Sequence, residues 1–285
     1  MSLVYLNGQF LPLEAAQVPV LDRGFIFGDG VYEVIPVYSR RVFRLPEHLQ
    51  RLQASLDGIR LPNPHTAAEW TAIIEQLIAR NEPDDQYLYL HLTRGVAKRD
   101  HAFPNPPVPP TVFLLSSPLA TPAAAVLETG GRAISALDYR WLHCDIKAIS
   151  LLPNVLLRQM AVDAGAMETV LFRENRWLTE GAASNIFVVK DGGLLAPPKD
   201  QLMLPGITYD VVLELAAANG IPYQVRRIGR DEVLAADELL MTSSTREVLA
   251  ITELDGQPVG TGLPGAMFRR LYALYQTFKH EVMRG

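Results

Sequence analysis

From residue 86 to residue 93 the sequence QYLYLHLT sets Leu88, Leu90 and Leu92 at every second position, the period of a half-buried strand. TVFLL at 111–115 has the composition of another. A different period governs the segment after Pro46, where Leu49, Leu52 and Leu56 recur at spacings of three and four. That spacing predicts a helix opened by proline and stopped at Gly58. Thr66 and Glu69 stand three apart, as in a capping box, and predict a second helix towards Asn81. Near the start, two short apolar runs flank Asn7-Gly8, a dipeptide suited to a two-residue hairpin turn.

The second half mixes periods in the same way. GRAISAL at 131–137 reads as a strand, a helix follows Pro153 towards Gly165, and strands return at 168–173 and 186–190. Turn residues Glu174-Asn175 and Asp191-Gly192-Gly193 follow those two strands. GITYDVVLELAAANG reads as a helix opened by Gly206 and closed by Gly220. A last amphipathic helix after Pro264 carries Phe268, Leu271, Leu274 and Tyr275. Between the halves, SSPLATPAAA at 116–125 is small, proline-containing and aperiodic, and reads as a linker. The fold class expected is therefore α+β, or mixed α/β, in two domains. Residues 1–118 would form a smaller N-terminal α/β domain, 119–125 the linker, and 126–285 a larger C-terminal domain carrying Lys147. A chain of 285 residues is long enough for such a division.

Composition narrows the function. Hydrophobic residues make up 48% and charged residues 20%, the balance of a globular protein, and the net charge is −5. A mildly acidic chain has no general attraction for nucleic acid or an anionic membrane, so an anionic ligand would need local basic groups. The one cysteine, Cys144, excludes an intrachain disulfide and zinc-finger or iron–sulfur chemistry. With an N-terminus, MSLVYLNGQF, unlike a signal peptide, it leads to the expectation of a cytoplasmic protein. No apolar run approaches the roughly 20 residues of a membrane span.

The chain has no GxGxxG after a strand, no GxxxxGK[ST], no HExxH and no GxSxG, which removes the common nucleotide, metalloprotease and hydrolase readings. Other residues stand out. Lys147 lies among apolar and small residues in HCDIKAISLLPN, where partial desolvation would suit a Schiff-base lysine, although a lone lysine there more often snorkels from a strand end. Glu180 lies in LTEGAASNIF beside apolar strand residues. Buried there it needs a partner, such as a protonated pyridine nitrogen; at a hairpin tip it would simply be solvated. The amides of Ile207 and Thr208 open a helix and suit an anion, or form a plain helix start. Ser243 and Ser244 offer hydroxyls in a turn after a strand. Arg51 falls on the helix after Pro46, where arginines commonly face solvent. In RGVAKRDHAFP, Arg99 and His101 could clamp a carboxylate or belong to a basic surface loop.

Seven segments, taken in order, resemble the class IV (fold type IV) pyridoxal-phosphate (PLP) dependent aminotransferases: LDRGFIFGDGVYEVI, PEHLQRL, TRG, DIKAISLLPNVL, LTEGAASNIFVV, LPGIT and TSSTREV. The resemblance covers nearly the whole chain and is nearest to the D-amino acid transaminases. It implies pyridoxal 5'-phosphate as cofactor, Lys147 as its Schiff-base lysine and general base, and Glu180 as the carboxylate on the ring nitrogen. It implies a phosphate site of Arg51, Ile207, Thr208, Ser243 and Ser244, with Leu204 on the back face of the ring. Tyr32, Arg99 and His101 match the carboxylate trap of the D-specific members, in which the Arg/His loop reaches over from a second subunit, so a homodimer is implied. The substrates implied are small molecules, a D-amino acid such as D-alanine and a 2-oxo acid, 2-oxoglutarate or pyruvate; no metal is. Branched-chain L-amino acid transaminase, (R)-amine transaminase and aminodeoxychorismate lyase share the scaffold. The branched-chain members carry a tyrosine shortly after the lysine, where this chain has Leu151-Leu152-Pro153.

Overall fold

The structure is a computed structural model that describes residues 2–284. The chain divides into two compact units. The first holds the residues up to Ala120 together with Ile146–Leu151, and the second holds Thr121–Asp145 and Leu152–Met283. Lys147, in the second half of the sequence, thus packs with the first unit.

The first unit opens with β1 (Leu3–Leu6) and β2 (Gln9–Pro12). They are joined at Asn7 and Gly8, both at positive φ (48° and 92°), as the two-residue turn requires. The short helix α1 (Arg23–Phe27) is capped by Asp22, whose carboxylate accepts from the Gly24 N–H, and stops at Gly28, φ 67°. Then come β3 (Gly30–Tyr38), β4 (Arg41–Val42), α2 (Leu45–Gly58), α3 (Ala67–Arg80), β5 (Gln86–Thr93) and β6 (Thr111–Pro118). The sheet order is β2-β1-β6-β5-β3-β4, antiparallel throughout. Residues of α2 and α3 share a buried core with one face of the sheet: Leu52, Leu56, Trp70 and Ile74 meet Ile35 and Leu88. The capping box at Thr66 and Glu69 forms with both of its bonds. Tyr32, Val34, Tyr89 and His91, of alternate parity, are only half-buried.

The second unit begins with α4 (Ala124–Thr129) and β7 (Gly131–Leu137), then α5 (Leu152–Asp163). β8 (Glu168–Arg173), β9 (Trp177–Gly181), β10 (Asn185–Lys190) and β11 (Gly193–Ala196) follow. The remainder is α6 (Ile207–Ala218), β12 (Tyr223–Val225), α7 (Arg230–Leu234), β13 (Glu238–Ser243), β14 (Glu247–Leu254), β15 (Gln257–Pro258) and α8 (Ala266–Lys279). The sheet order is β12-β11-β10-β13-β14-β7-β8-β9, with β15 on β14. β7 runs parallel to both β8 and β14, and β11 to β12; the other pairs are antiparallel. This is the mixed α/β class expected from the sequence. Of residues 116–125, 116–118 complete β6 and 124–125 open α4, so only 119–123 lack regular structure. No helix among the described residues is long and apolar enough to cross a membrane.

The packing of α3 sets a graded expectation. Ile74 is fully buried, so Ile74→Ala should cost about 2–5 kcal/mol. Thr66→Ala, which removes a cap, should cost about 1 kcal/mol. Urea unfolding followed by far-UV circular dichroism checks the order; equal shifts in midpoint would contradict it.

Candidate active site

Strand β3 sends Tyr32 and Glu33 to opposite faces of its sheet. Glu33 is fully buried against α2, which presents His48 and Arg51 one turn apart. Arg51 grips the carboxylate with two bonds, Nε to Oε1 at 2.8 Å and Nη2 to Oε2 at 2.7 Å. His48 Nδ1 lies 2.8 Å from Oε2. Burial opposes ionisation of Glu33, but Arg51 and His48 outweigh it and hold the carboxyl down at about 2. Burial also lowers His48, so its ring is neutral near pH 7. A neutral ring facing a carboxylate donates from Nδ1, which makes Nε2 an acceptor. That atom is buried without a hydrogen-bond partner among the described residues.

One turn after Arg51, the buried Ser55 accepts the Lys147 N–H at 3.1 Å. The Lys147 carbonyl accepts the Tyr32 N–H at 3.0 Å, and Ile149 N–H bonds Gly30 O at 3.1 Å. The backbone around Lys147 is thus pinned to α2 and β3. The Lys147 ammonium lies 4.1 Å from the centre of the Tyr32 ring, a cation–π contact. Tyr32 in turn packs on Tyr89 at 5.7 Å, and the Tyr89 hydroxyl lies 2.7 Å from His91 Nδ1. Arg99 and His101 meet at a different ring: the Arg99 guanidinium and the His101 imidazole lie 5.5 and 5.3 Å from the centre of Phe27.

In the second unit, Glu180 stands near the end of β9, 4% exposed. Arg140 Nη1 donates to it at 2.5 Å and Asn185 Nδ2 at 3.2 Å, and the Leu204 N–H reaches both oxygens at 3.3 Å. Arg140 is itself held by two bonds to the fully buried Asp138, each 3.0 Å. Thr179 Oγ1 also donates to Asp138, at 2.8 Å. Burial pushes the Glu180 carboxyl up to about 7, against the lowering pull of Arg140. Asn185 Nδ2 also donates to Leu204 O at 2.9 Å. Its Oδ1 lies so close to Gly206 that a Cβ there would collide with it. Ile207 and Thr208 occupy the first turn of α6, whose N-cap Gly206 supplies no side-chain bond. Ser243 ends β13 and Ser244 opens the three-residue turn into β14. Beside them Thr242 Oγ1 is buried without a hydrogen-bond partner among the described residues.

The structure therefore brings Lys147 together with Tyr32, Arg99 with His101, and Glu180 with Leu204, while Arg51 is engaged by Glu33. Five residues outside the sequence reading hold these groups: Glu33, His48, Ser55, Arg140 and Asn185. Glu33 was open to the argument applied to Glu180, since VYEVI also sets a carboxylate among apolar strand residues. Arg140 and Asn185 carry no such signal.

Residues 30–254 match the family Amino-transferase class IV, and the chain belongs to that family. Within it, the chain is 38% identical over 273 residues to the D-alanine aminotransferase of Bacillus licheniformis, covering 96% of this chain and 95% of the relative. It is 36% identical over 278 residues to the D-alanine aminotransferase of Staphylococcus epidermidis, with 98% of each covered. A solved structure, the branched-chain amino acid aminotransferase of Escherichia coli, superposes with TM-score 0.87 at 27% identity, over 98% of this chain and 93% of that one.

The Glu33 cluster has a measurable acid signature. Its carboxyl is depressed from 4.5 to about 2. Its stabilising contribution, about 3 kcal/mol, is complete above pH 4.5 and is lost as pH falls towards 2. Glu33→Gln takes the forked carboxylate from the buried Arg51 and should cost about 3–5 kcal/mol at pH 7. The stability gap between the two proteins, from urea midpoints, should narrow from pH 7 to pH 3; a gap independent of pH would contradict the assignment.

Proposed function

We propose that this aminotransferase moves the amino group of a D-amino acid, such as D-alanine, to a 2-oxo acid, 2-oxoglutarate or pyruvate, with pyridoxal 5'-phosphate as cofactor. The observation that carries the D-amino acid reading is the meeting of Arg99 and His101 on the Phe27 ring. Two cationic or donor side chains are thereby offered together to a carboxylate. The near full-length likeness to D-alanine aminotransferases supports the same reading.

The residues fit the cofactor. Thr242 Oγ1, beside Ser243, is a buried hydroxyl without a hydrogen-bond partner among the described residues and could donate to a phosphate. Glu180 is desolvated, with a carboxyl poised near 7 to share a proton with a ring nitrogen. In the first unit, Arg51 would take phosphate charge and Lys147 would hold the aldehyde carbon. In the second, the Ile207 and Thr208 amides and the Thr208, Ser243 and Ser244 hydroxyls would bind phosphate, Glu180 the ring nitrogen, and Leu204 a ring face. When bound, the cofactor supplies the electron sink for amino-group transfer. Lys147 Nζ, beside Tyr32, would take the proton from the substrate's α-carbon and return it in the opposite half-reaction. Arg99 and His101, with the Tyr32 hydroxyl, would hold the carboxylate and so decide which enantiomer turns its α-hydrogen to that amine. A branched-chain L-amino acid substrate is the second reading, favoured by the likeness to the Escherichia coli enzyme.

The reading includes a homodimer. Phe25 and Val20 in the first unit are 77% and 71% exposed. On α5, Leu152, Val155, Leu156 and Met160 form an exposed apolar stripe at helical spacing. Such surfaces mark association. It also includes a cytoplasmic location, which suits a lone buried cysteine whose thiol burial pushes up to about 11.

The visible spectrum of the purified holoenzyme tests the function. D-alanine alone should convert the lysine-bound cofactor band to the amine form, and Lys147→Ala should lack the band. A response to L-leucine and not D-alanine would move the assignment to the branched-chain reading. No response to any amine would remove it. Light scattering tests the assembly: the mass should be twice 31.5 kDa, and Val155→Glu should lower it towards one chain. A monomeric parent protein would refute the dimer.

A further inference from the structure

Residues 97–110 form neither helix nor strand, yet they carry Arg99 and His101. A loop of that length needs outside support to hold side chains at fixed spacing. The support is concentrated on α1. Arg23 is 3% exposed and turns inward beneath the loop. Its Nη1 donates to Asp100 O at 2.6 Å and Ala102 O at 3.2 Å, and Nη2 to His101 O at 3.4 Å. These carbonyls lie between and just after the two side chains in question. The remaining Nε donates to Asp29 at 2.8 Å. Asp29 also binds Arg94, which donates to both its oxygens at 2.8 and 3.0 Å. Arg94 stacks on Phe103 at 3.7 Å, so the loop just beyond His101 is held through the same carboxylate. Four residues along α1 from Arg23, Phe27 contacts both Arg99 and His101.

We propose that α1 is the positioning element for the carboxylate-binding pair, Arg23 fixing the loop backbone and Phe27 setting the spacing of the Arg99 and His101 side chains. The proposal rests on the reading of those two residues as the carboxylate site. Arg23 and Phe27 would act through these loop contacts and not on the substrate itself. Five guanidinium donors in one plane let Arg23 serve three carbonyls and a carboxylate at once, which a lysine ammonium with three donors cannot match. The Phe27 ring offers its π surface to the Arg99 guanidinium and, tilted by 38°, to the His101 imidazole, which a branched aliphatic chain does not.

The test compares Phe27→Leu, Phe27→Tyr, Arg23→Lys and Arg99→Ala as holoenzymes, each checked for the lysine-bound cofactor band. The readouts are KM and kcat for D-alanine and the competitive inhibition constant of propionate, a carboxylate without an amine. Phe27→Leu should raise KM and the propionate constant together by about tenfold with kcat nearly unchanged, the pattern of lost uniform binding. Phe27→Tyr should restore both. If Arg23→Lys does not fold, the Phe27 pair decides alone. Unchanged KM and propionate binding in Phe27→Leu, with both raised in Arg99→Ala, would overturn the proposal and leave the carboxylate site standing. A fall in kcat without a change in propionate binding would assign Phe27 a structural role and overturn it as well. No effect from Arg99→Ala would remove the carboxylate site itself, and the proposal with it.

Discussion

Taking the Glu180 carboxylate out of water costs several kcal/mol unless other charges and donors answer it. Arg140 does so at 2.5 Å, and Asp138 balances Arg140 from the other side. Much of the second unit's local architecture follows from meeting that requirement. Asn185 and the Leu204 amide donate to it as well, which ties the start of β10 to the segment leading into α6. Glu168, fully buried one strand away, accepts from Thr169 N–H, Ala182 N–H and Ser184 Oγ, and so fixes the small-residue turn after Glu180. The Glu180 carboxylate therefore has no freedom to turn away from the position its donors fix.

The first unit solves a similar problem with a different geometry. Glu33 receives a forked guanidinium and an imidazole from a single helix, so one turn of α2 neutralises a charge that would otherwise forbid a buried strand. Arg51 is thereby aligned by its neighbours, with its guanidinium plane set by the Glu33 carboxylate. A lysine in its place could answer the charge but could not be held to one orientation by it.

Legibility in the sequence followed the locality of the cause. The hairpin at Asn7-Gly8, the capping box at Thr66 and the helices after Pro46 and Pro153 depend on residues a few positions apart, and pattern alone located them. β3 is different: GVYEVIPVY has too few polar positions to show a period of two, because most of the strand is buried. Lys147, Glu180 and Arg51 gained meaning only through the resemblance of ordered segments. Their supports were less accessible still. Arg140 is 40 residues from Glu180 and Ser55 is 92 from Lys147, separations at which no periodicity operates. The membership of Lys147 in the first unit is hidden for the same reason, since the chain returns to β3 only for Ile146–Leu151.

Arg51 and Ser55 share α2 at a separation of four, which makes the helix a ruler. Four residues span about 6 Å along the axis and bring both side chains to one face. One end of the ruler is registered by Glu33 and the other by the amide of Lys147. Drift in this stretch of sequence is therefore constrained in length more tightly than in composition. Substitutions on the outer face of α2 leave the gauge intact, whereas a single inserted residue between the two marks would rotate them apart by about 100°. Among descendants of this chain, insertions and deletions should accumulate in the loops and leave this turn of helix untouched.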